Sequence, residues 1–435
     1  MKAKSMTGTR QQPATATARL GPVPGQELTK RPEIAVTGLG MLTPAGTDVE
    51  TTWHGVCDGT PTAATFDRLA GLPVDFCCSI PSFDADAAIG RRTARRLDRS
   101  TQLVIAAAKQ ALNDAGLDPN TWDSARVAVI TGIALGASQT WENQHDILRD
   151  RGPKQVSPLM ITMIGPSAVA GEVALACRAH GPSLMTATAC ASGATAISLG
   201  RDLLATGQCD IVIAGGTESC ATSLIVTGLA QLGALSKRCD DPAAASRPFD
   251  QARDGFVLGE AAAVLILERA KDARARGHRP RALLAGCGST TDAHHPTAPH
   301  PEGRGAKEAM RLALADADLS HHDVAYVNAH GTSTLLNDAV EADVIRTLLP
   351  RGPLVTSTKG VLGHSLGATG AVEAALTVLS VQHSLVPPTA NLESPDFGCD
   401  LNFVTKAAES RRIEAALSNS FGFGGHNVVL AFRAP

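Results

Sequence analysis

Three features of the sequence predict an α/β fold with largely buried sheets. Short β-branched runs lead into glycine turns, Ala- and Leu-rich amphipathic segments separate them, and aromatics are only 3% of the chain while 41 residues are glycine, a balance that favours close helix-on-sheet packing over a nucleotide-stacking surface. In chain order the expected strands are IAVTGLG, ARVAVITG, CDIVIAGGT, AAAVLILE, RALLAGCGS, HDVAYVNAH, PLVTSTK and AALSNSFGFGG. Each is short for a helix, and most run into a glycine turn. Between them, STQLVIAAAKQALNDAGL and GAKEAMRLALADADL repeat their apolar residues at helical spacing. The strand runs show little polar alternation, so the sheets are covered on both faces. Ahead of them, residues 1–31 are rich in Thr, Ala, Pro, Gln and basic residues without apolar period. They cannot bury enough surface to offset ordering entropy and read as a disordered leader.

At ~150 residues per domain, 435 residues predict roughly three domains, or one large α/β unit built from a fused pair. The charges sum to 39 − 42 = −3 with 19% charged residues, which excludes a general electrostatic affinity for nucleic acid. No run of about 18 apolar residues and no secretory h-region occurs, so no membrane span is expected and a cytoplasmic location is. Ten cysteines without a CxxC pair, only Cys77 and Cys78 being adjacent, fit neither a disulfide framework nor a zinc module. Most are expected to be reduced, buried thiols. An internal duplication is suggested by CASGATAIS (190–198) and HSLGATGAV (364–372), which carry Gly-Ala-Thr at the same distance from a reactive side chain. Two strand pairs, 34–38 with 283–286 and 127–132 with 324–329, follow the same order.

Four stretches carry chemistry. In TATACASG, Cys190 stands at a strand-to-helix junction, where free N–H groups and the helix dipole lower a thiol pKa; it is a candidate nucleophile, against the plain reading of a small buried hydrophobe. In NAHGTST, His330 follows the apolar run VAYV at a strand end, where polar chemistry collects in open α/β sheets, although a core histidine is the simpler account. STKGVLGHSLGATG supplies Lys359 and His364 five residues apart. NSFGFGGHN carries glycines that let the backbone turn sharply beside a ligand, or merely connect two strands.

Three other patterns compete. GHSLG (363–367) matches the G-x-S-x-G elbow of α/β-hydrolases and would make Ser365 the nucleophile, with His383 or His426 and Asp396 or Asp400 as partners. TSTKG, however, is not the continuous apolar strand an elbow needs, and too little chain follows for the rest of a hydrolase. VTGLGML offers Gly38 and Gly40 but has Thr43 where a third dinucleotide-binding glycine belongs, so no such site is read there. His294, His295 and His300 lie in a proline-rich stretch that does not place them on one face, so a solvated loop is the better reading and no metal site is assigned.

Taken in order, TACASG, RPFDQARDGFVLGEAA (247–262), NAHGTST with NDAVEAD, STKGVLGHSLGATGAVE and NSFGFGGHN resemble the β-ketoacyl-[acyl carrier protein] synthases over residues 33–433. The chain-elongating type II enzymes and bacterial polyketide ketosynthases are the nearest subgroups. The resemblance implies a thiolase-like fold, duplicated halves in a five-layered αβαβα arrangement, divided here as 32–278 and 279–435. It makes Cys190 the acyl-accepting nucleophile, with His330 and His364 donating to the malonyl thioester oxygen as CO2 leaves. Lys359 would organise the site, paired with Glu341 and assisted by Asp338. Backbone N–H groups of Cys190 and Phe423 would form the oxyanion hole, and Phe423 would gate the acyl pocket. Thr332 and Thr334 would hold the pantetheine arm. Two histidines instead of one His and one Asn argue against initiating synthases; Phe-Gly-Gly-His in place of a late Cys-Gly-Gly argues against a thiolase. A retained Cys190 argues against an inactive chain-length-factor partner.

The implied reaction is a decarboxylative Claisen condensation in fatty acid or polyketide elongation, with a slight preference for polyketide chemistry from the Arg- and Ala-rich composition. No metal or redox cofactor is expected; substrates would ride on the phosphopantetheine of acyl carrier protein. The partners expected are that carrier and a second subunit, giving a homodimer or a heterodimer with a chain-length-factor-like chain. RRTARR places Arg91, Arg92, Arg95 and Arg96 on adjoining helical positions as a basic patch, which the resemblance puts where the acidic carrier docks. Leu135 would line the acyl tunnel, and Met160, from the subunit interface, its floor. Departures from the family pattern are Gly259-Glu260-Ala261 where Gly-Glu-Gly or Gly-Asp-Gly is usual, Gly360 where a serine is common after the lysine, and the longer leader.

Overall fold

All eight expected strand segments form strands in the computed structural model, which describes residues 31–435. The expected leader lies outside the described residues apart from Arg31. The main sheet contains β1 (Ile34–Leu42), β2 (Val127–Gly132), β3 (Ser183–Thr186), β4 (Ile211–Glu218), β5 (Ala261–Arg269), β6 (Ala282–Thr291), β7 (Tyr326–Asn328), β8 (Leu354–Thr356), β9 (Asn402–Phe403), β10 (Ala415–Gly422) and β11 (His426–Arg433). Their order is β9-β8-β7-β10-β11-β6-β1-β5-β4-β2-β3. The strands not read from the sequence are β3, β9 and β11. β3 and β9 have 4 and 2 residues, too few to show a period, and β11 was hidden behind the glycine turn it follows.

The helices that matter for the site are α1 (Arg99–Asp114), α2 (Ser138–Arg151), α3 (Ser192–Ala205), α4 (Arg304–Asp316), α5 (Leu335–Leu348) and α6 (Thr369–His383). α1 packs on the outer face of β2, β4 and β5 through Leu103, Val104, Ala107 and Ala111 against Val129, Ile213 and Val264. The opposite faces of the same strands, Ala128, Ile130, Val212 and Leu265, join α3 and α6 in a central cluster that also takes Val428 and Leu430 from β11. α4 and α5 close the far side against Val327, Leu417 and Val429. The strand order joins two half-sheets where β6 meets β1 over three residue pairs, so helix, half-sheet, helix, half-sheet and helix follow one another, the five-layered thiolase-like architecture. Residues on both faces of each central strand are apolar, which is why the strands showed no alternation.

The duplication is visible in close contacts. A Cβ on Gly38 or Gly40 would stand 2.2 or 1.9 Å from Ala111 O or Ala107 O of α1; on Gly286 or Gly288 it would stand 2.3 or 1.9 Å from Ala313 O or Ala309 O of α4. Glycine at these four places lets each helix lie directly on its strand. In the middle layer a Cβ on Gly193 would meet Ala371 N, and one on Gly370 would meet Ala194 N, both at 2.7 Å. These reciprocal contacts fix the register between the halves as Gly193 with Gly370. Cys190 thus corresponds to Gly367, not to His364, and the Gly-Ala-Thr match was three residues out of register. The tight turns Ala189–Ala191 and Leu366–Ala368 agree with this pairing, as does the left-handed backbone of Ala189 (φ 49°) and Leu366 (φ 41°).

Candidate active site

Cys190 lies in the turn that leads from β3 into α3. The left-handed conformation of Ala189 costs a non-glycine residue of order 1–3 kcal/mol. Ser192 holds it by donating to Ala189 O at 2.6 Å and accepting the Thr188 N–H at 2.9 Å. His330 follows β7, and α5 fixes its backbone: Glu341 accepts the N–H groups of His330 and Gly331, each at 2.8 Å. Asp338, one turn earlier, accepts those of Thr332 at 2.9 Å, Ser333 at 3.1 Å and Phe249 at 2.8 Å. His364 follows Gly363, its backbone N–H bonded to Val257 O at 2.7 Å and its Nδ1 3.0 Å from Thr369 Oγ1.

Three strands and two helix starts thereby converge. The Cys190 sulfur and a ring nitrogen from each of His330 and His364 lie within 4.8 Å of one another, all buried. They line a cavity of about 330 Å³ together with Thr332, Thr334 and Phe423. The hydroxyls of Thr332 and Thr334 are 2.9 Å apart, and Phe423 is 37% exposed at the cavity. Backbone N–H groups of Phe423 and of Cys190 itself face the sulfur.

Lys359 is paired differently from the expectation. Its Nζ donates to Glu373 Oε1 and to His330 O, each at 2.5 Å, and stands 3.5 Å from His330 Nδ1. Glu341 and Asp338 are occupied by backbone N–H groups, so neither serves the lysine. Glu373 lies 14 residues beyond Lys359 in α6, a lone carboxylate in the apolar run GAVEAALTV. A charge in such a run needs a buried partner, and that was the overlooked signal. With an ammonium against Nδ1, the proton of neutral His330 resides on Nε2, so the ring offers the cavity a donor. Burial first, and then the charge of Lys359, hold both histidines well below the ordinary imidazole pKa; they are neutral near pH 7.

The expectation of a lowered Cys190 pKa is overturned. Burial pushes the thiol up to about 11, although the Phe423 N–H and Lys359 act in the opposite direction. Desolvation outweighs the dipole because Cys190 is 6% exposed. Leu135 and Met160 do not line this cavity within the chain: Leu135 is 43% exposed and Met160 half-buried. In RRTARR the helix covers only Arg91–Ala94. Arg96 forms a two-pronged pair with Glu172 at 2.6 Å and the exposed Arg91 lies 3.8 Å from Asp86, so Arg92 and Arg95 are the exposed members away from these two carboxylates, in place of a four-residue stripe. Glu260, in the departing Gly-Glu-Ala segment, accepts from Arg99 and Ser219. Ser365 is buried with Oγ 3.2 Å from Thr369 Oγ1, while His383 stacks on Trp53, so the Ser365–His383 pair of the hydrolase reading does not form.

Residues 31–273 match the model of the β-ketoacyl synthase N-terminal domain and residues 281–393 that of the C-terminal domain. The chain is 42% identical over 409 residues to a 3-oxoacyl-[acyl-carrier-protein] synthase 2 of Synechocystis sp., covering 93% of this chain and 98% of the relative. Among solved structures, the ishigamide ketosynthase/chain length factor superposes with a TM-score of 0.88 at 30% identity, over 93% of this chain and 100% of that one. AntDE:AntF, a type II polyketide synthase acyl-carrier protein in complex with its ketosynthase, does so at 0.85 and 30% identity, with the same coverage. These matches extend along almost the whole chain, and the protein belongs to the β-ketoacyl synthase family, as a β-ketoacyl-[acyl carrier protein] synthase of the acyltransferase class.

Proposed function

We propose that Cys190 carries the acyl chain and that malonyl-[acyl carrier protein] extends it. The observation that carries this is the approach of Cys190, His330 and His364 to within 4.8 Å in one cavity. Cys190 sulfur attacks the acyl thioester carbon. The C–S bond to phosphopantetheine breaks, and a neighbouring neutral imidazole relays the thiol proton to the departing thiolate. The N–H groups of Cys190 and Phe423 receive the oxyanion, where one donor is worth ~3 kcal/mol of barrier. His330 and His364 then donate to the malonyl thioester oxygen as CO2 leaves. The enolate carbon attacks the acyl-cysteine, a C–C bond forms, and Cys190 departs as thiolate and regains a proton.

Lys359, held by Glu373, keeps His330 in its donor tautomer. Thr332 and Thr334 hold the pantetheine arm, Phe423 gates the pocket, and Leu135 and Met160 meet the far end of the chain across a subunit interface. This chemistry asks for no metal or redox group. A thiol and two imidazoles are also zinc-ligand types, but the Lys359 ammonium beside His330 repels a cation. The partners in this reading are the carrier protein, at Arg92 and Arg95, and a second chain, either a copy or a chain-length-factor-like subunit. Of the two pathways, polyketide elongation is the narrower proposal, supported by the likeness to the type II polyketide ketosynthase complex, while the 42% identity to a 3-oxoacyl synthase supports fatty acid elongation. All ten cysteines are free thiols, which suits the reducing cytoplasm.

Incubation with acyl-carrier protein should add the acyl mass to the Cys190 peptide, Cys190→Ala should abolish the adduct, and chelation should leave turnover unchanged. Retention of the adduct in Cys190→Ala, with loss in Ser365→Ala, would overturn the assignment. Intact-mass analysis of the carrier-bound products decides the pathway.

A further inference from the structure

The register between the halves gives every part of the nucleophile turn a counterpart. Cys190 corresponds to Gly367, and β4 corresponds to β10 end for end, since both have 8 residues and pair antiparallel with the next strand from first residue to last. Gly422 at the end of β10 therefore corresponds to Glu218 at the end of β4. Beside Cys190 the position is empty: a Cβ on Gly422 would come within 3.0 Å of Cys190 N. Beside Gly367 it is filled. Glu218 Oε2 accepts the Gly367 N–H at 3.2 Å, the Ala134 N–H at 2.7 Å and the Leu135 N–H at 3.3 Å. One carboxyl oxygen thus occupies the place that an oxyanion would take in the second copy of the nucleophile turn.

Neither the condensation chemistry nor the sequence reading uses this residue, which is fully buried. Its three donors belong to two walls of the Cys190 environment. Ala134 and Leu366, the latter adjoining Gly367, both pack in the apolar cluster that contains Cys190, Phe256 and Cys220. Leu366 also lines the cavity. We propose that Glu218 is a positioning residue: it plugs the duplicated anion hole and ties the Ala134–Leu135 loop to the Leu366–Ala368 turn, setting the inner wall against which the acyl chain on Cys190 lies. This rests on the acyl-transfer reading above. Length is what matters in the carboxyl, because Oε2 reaches all three donors, while Oε1 only shares the Leu135 N–H at 3.3 Å. Burial pushes Glu218 up to about 8, so the group is largely uncharged near pH 7 and an amide can replace it.

The test measures kcat and KM for Cys190 acylation by acetyl- and dodecanoyl-carrier protein in the wild type, Glu218→Gln and Glu218→Asp. Gln keeps the reach and should stay within about twofold of wild type for both chains. Asp keeps the carboxyl but loses one methylene of reach; it should raise the dodecanoyl KM roughly tenfold while acetyl transfer changes little. An Asp variant that selects chains as wild type does, or a Gln variant as impaired as Asp, would refute the strut. Equal slowing of both chains in Asp would reduce Glu218 to a general stabiliser and also overturn it. If the wild type acylates Cys190 with neither thioester, the acyl-transfer reading itself fails.

Discussion

At the scale of single residues, the site is a set of neutral groups held ready by a buried ion pair. Desolvation keeps Cys190 a thiol and both histidines unprotonated, because each charged form would lose its hydration. The sign of the pH dependence follows. A thiol pKa raised to about 11 means that thiolate is scarce at neutrality and grows about tenfold per pH unit. Alkylation of free enzyme at Cys190 by iodoacetamide should therefore keep accelerating from about pH 7 to about pH 10; a plateau near neutrality would show that the dipole had won over burial. The lowered histidine pKa values give the complementary expectation for decarboxylation of malonyl-carrier protein, whose rate should show no inflection near the ordinary imidazole value of about 6.5.

At the scale of elements, function depends on where backbone is left uncovered. Gly422 closes β10 beside the Cys190 N–H, and a Cβ there would stand 2.7 Å from Thr188 O and 3.0 Å from Cys190 N. Gly422→Ala should lower kcat for acyl transfer by roughly a hundredfold or more, the usual effect of losing an oxyanion donor. Its stability loss should be only ~1–3 kcal/mol, as for a local overpacking; urea titration and single-turnover acylation measure the two separately. The short Arg91–Ala94 helix sets a second expectation. Arg96 is committed to Glu172, so Arg92→Glu with Arg95→Glu should raise the carrier-protein KM roughly tenfold and flatten its salt dependence. The Arg96→Glu change should instead cost stability through the broken pair. Equal KM values for wild type and the Arg92/Arg95 double variant would remove the docking assignment.

At the scale of the whole molecule, the sheet ends at β3, an unpaired edge whose Leu184 is 45% exposed, near in sequence to Leu175 and Ile161 at 69% and 72%. An exposed apolar edge strand is a template for a second chain. Leu184→Lys should convert a dimer to monomer in sedimentation and weaken elongation. In the intact dimer Met160→Phe should shift products to shorter chains without slowing malonyl decarboxylation; an unchanged product distribution would remove Met160 from the tunnel. The sequence by itself determined the α/β class and eight of the strands, and it singled out Cys190, His330, Lys359 and His364, which the fold brings together, because short-range period and strand-end position are local properties. It did not determine who partners whom. Glu373 and Glu341 are both carboxylates within reach in sequence of Lys359, and only the packing of α6 against β7 chose between them. The same holds for the register of the two halves. The Gly-Ala-Thr match pointed to the wrong offset, because the true counterpart of residues 193–195 reads Gly-Ala-Val at 370–372, and the contact of Gly193 with Ala371 and Gly370 with Ala194 aligned Cys190 with Gly367. Even the protonation of Cys190 was a tertiary decision: the turn supplies the dipole locally, but the desolvation that overrides it comes from layers brought together by the fold.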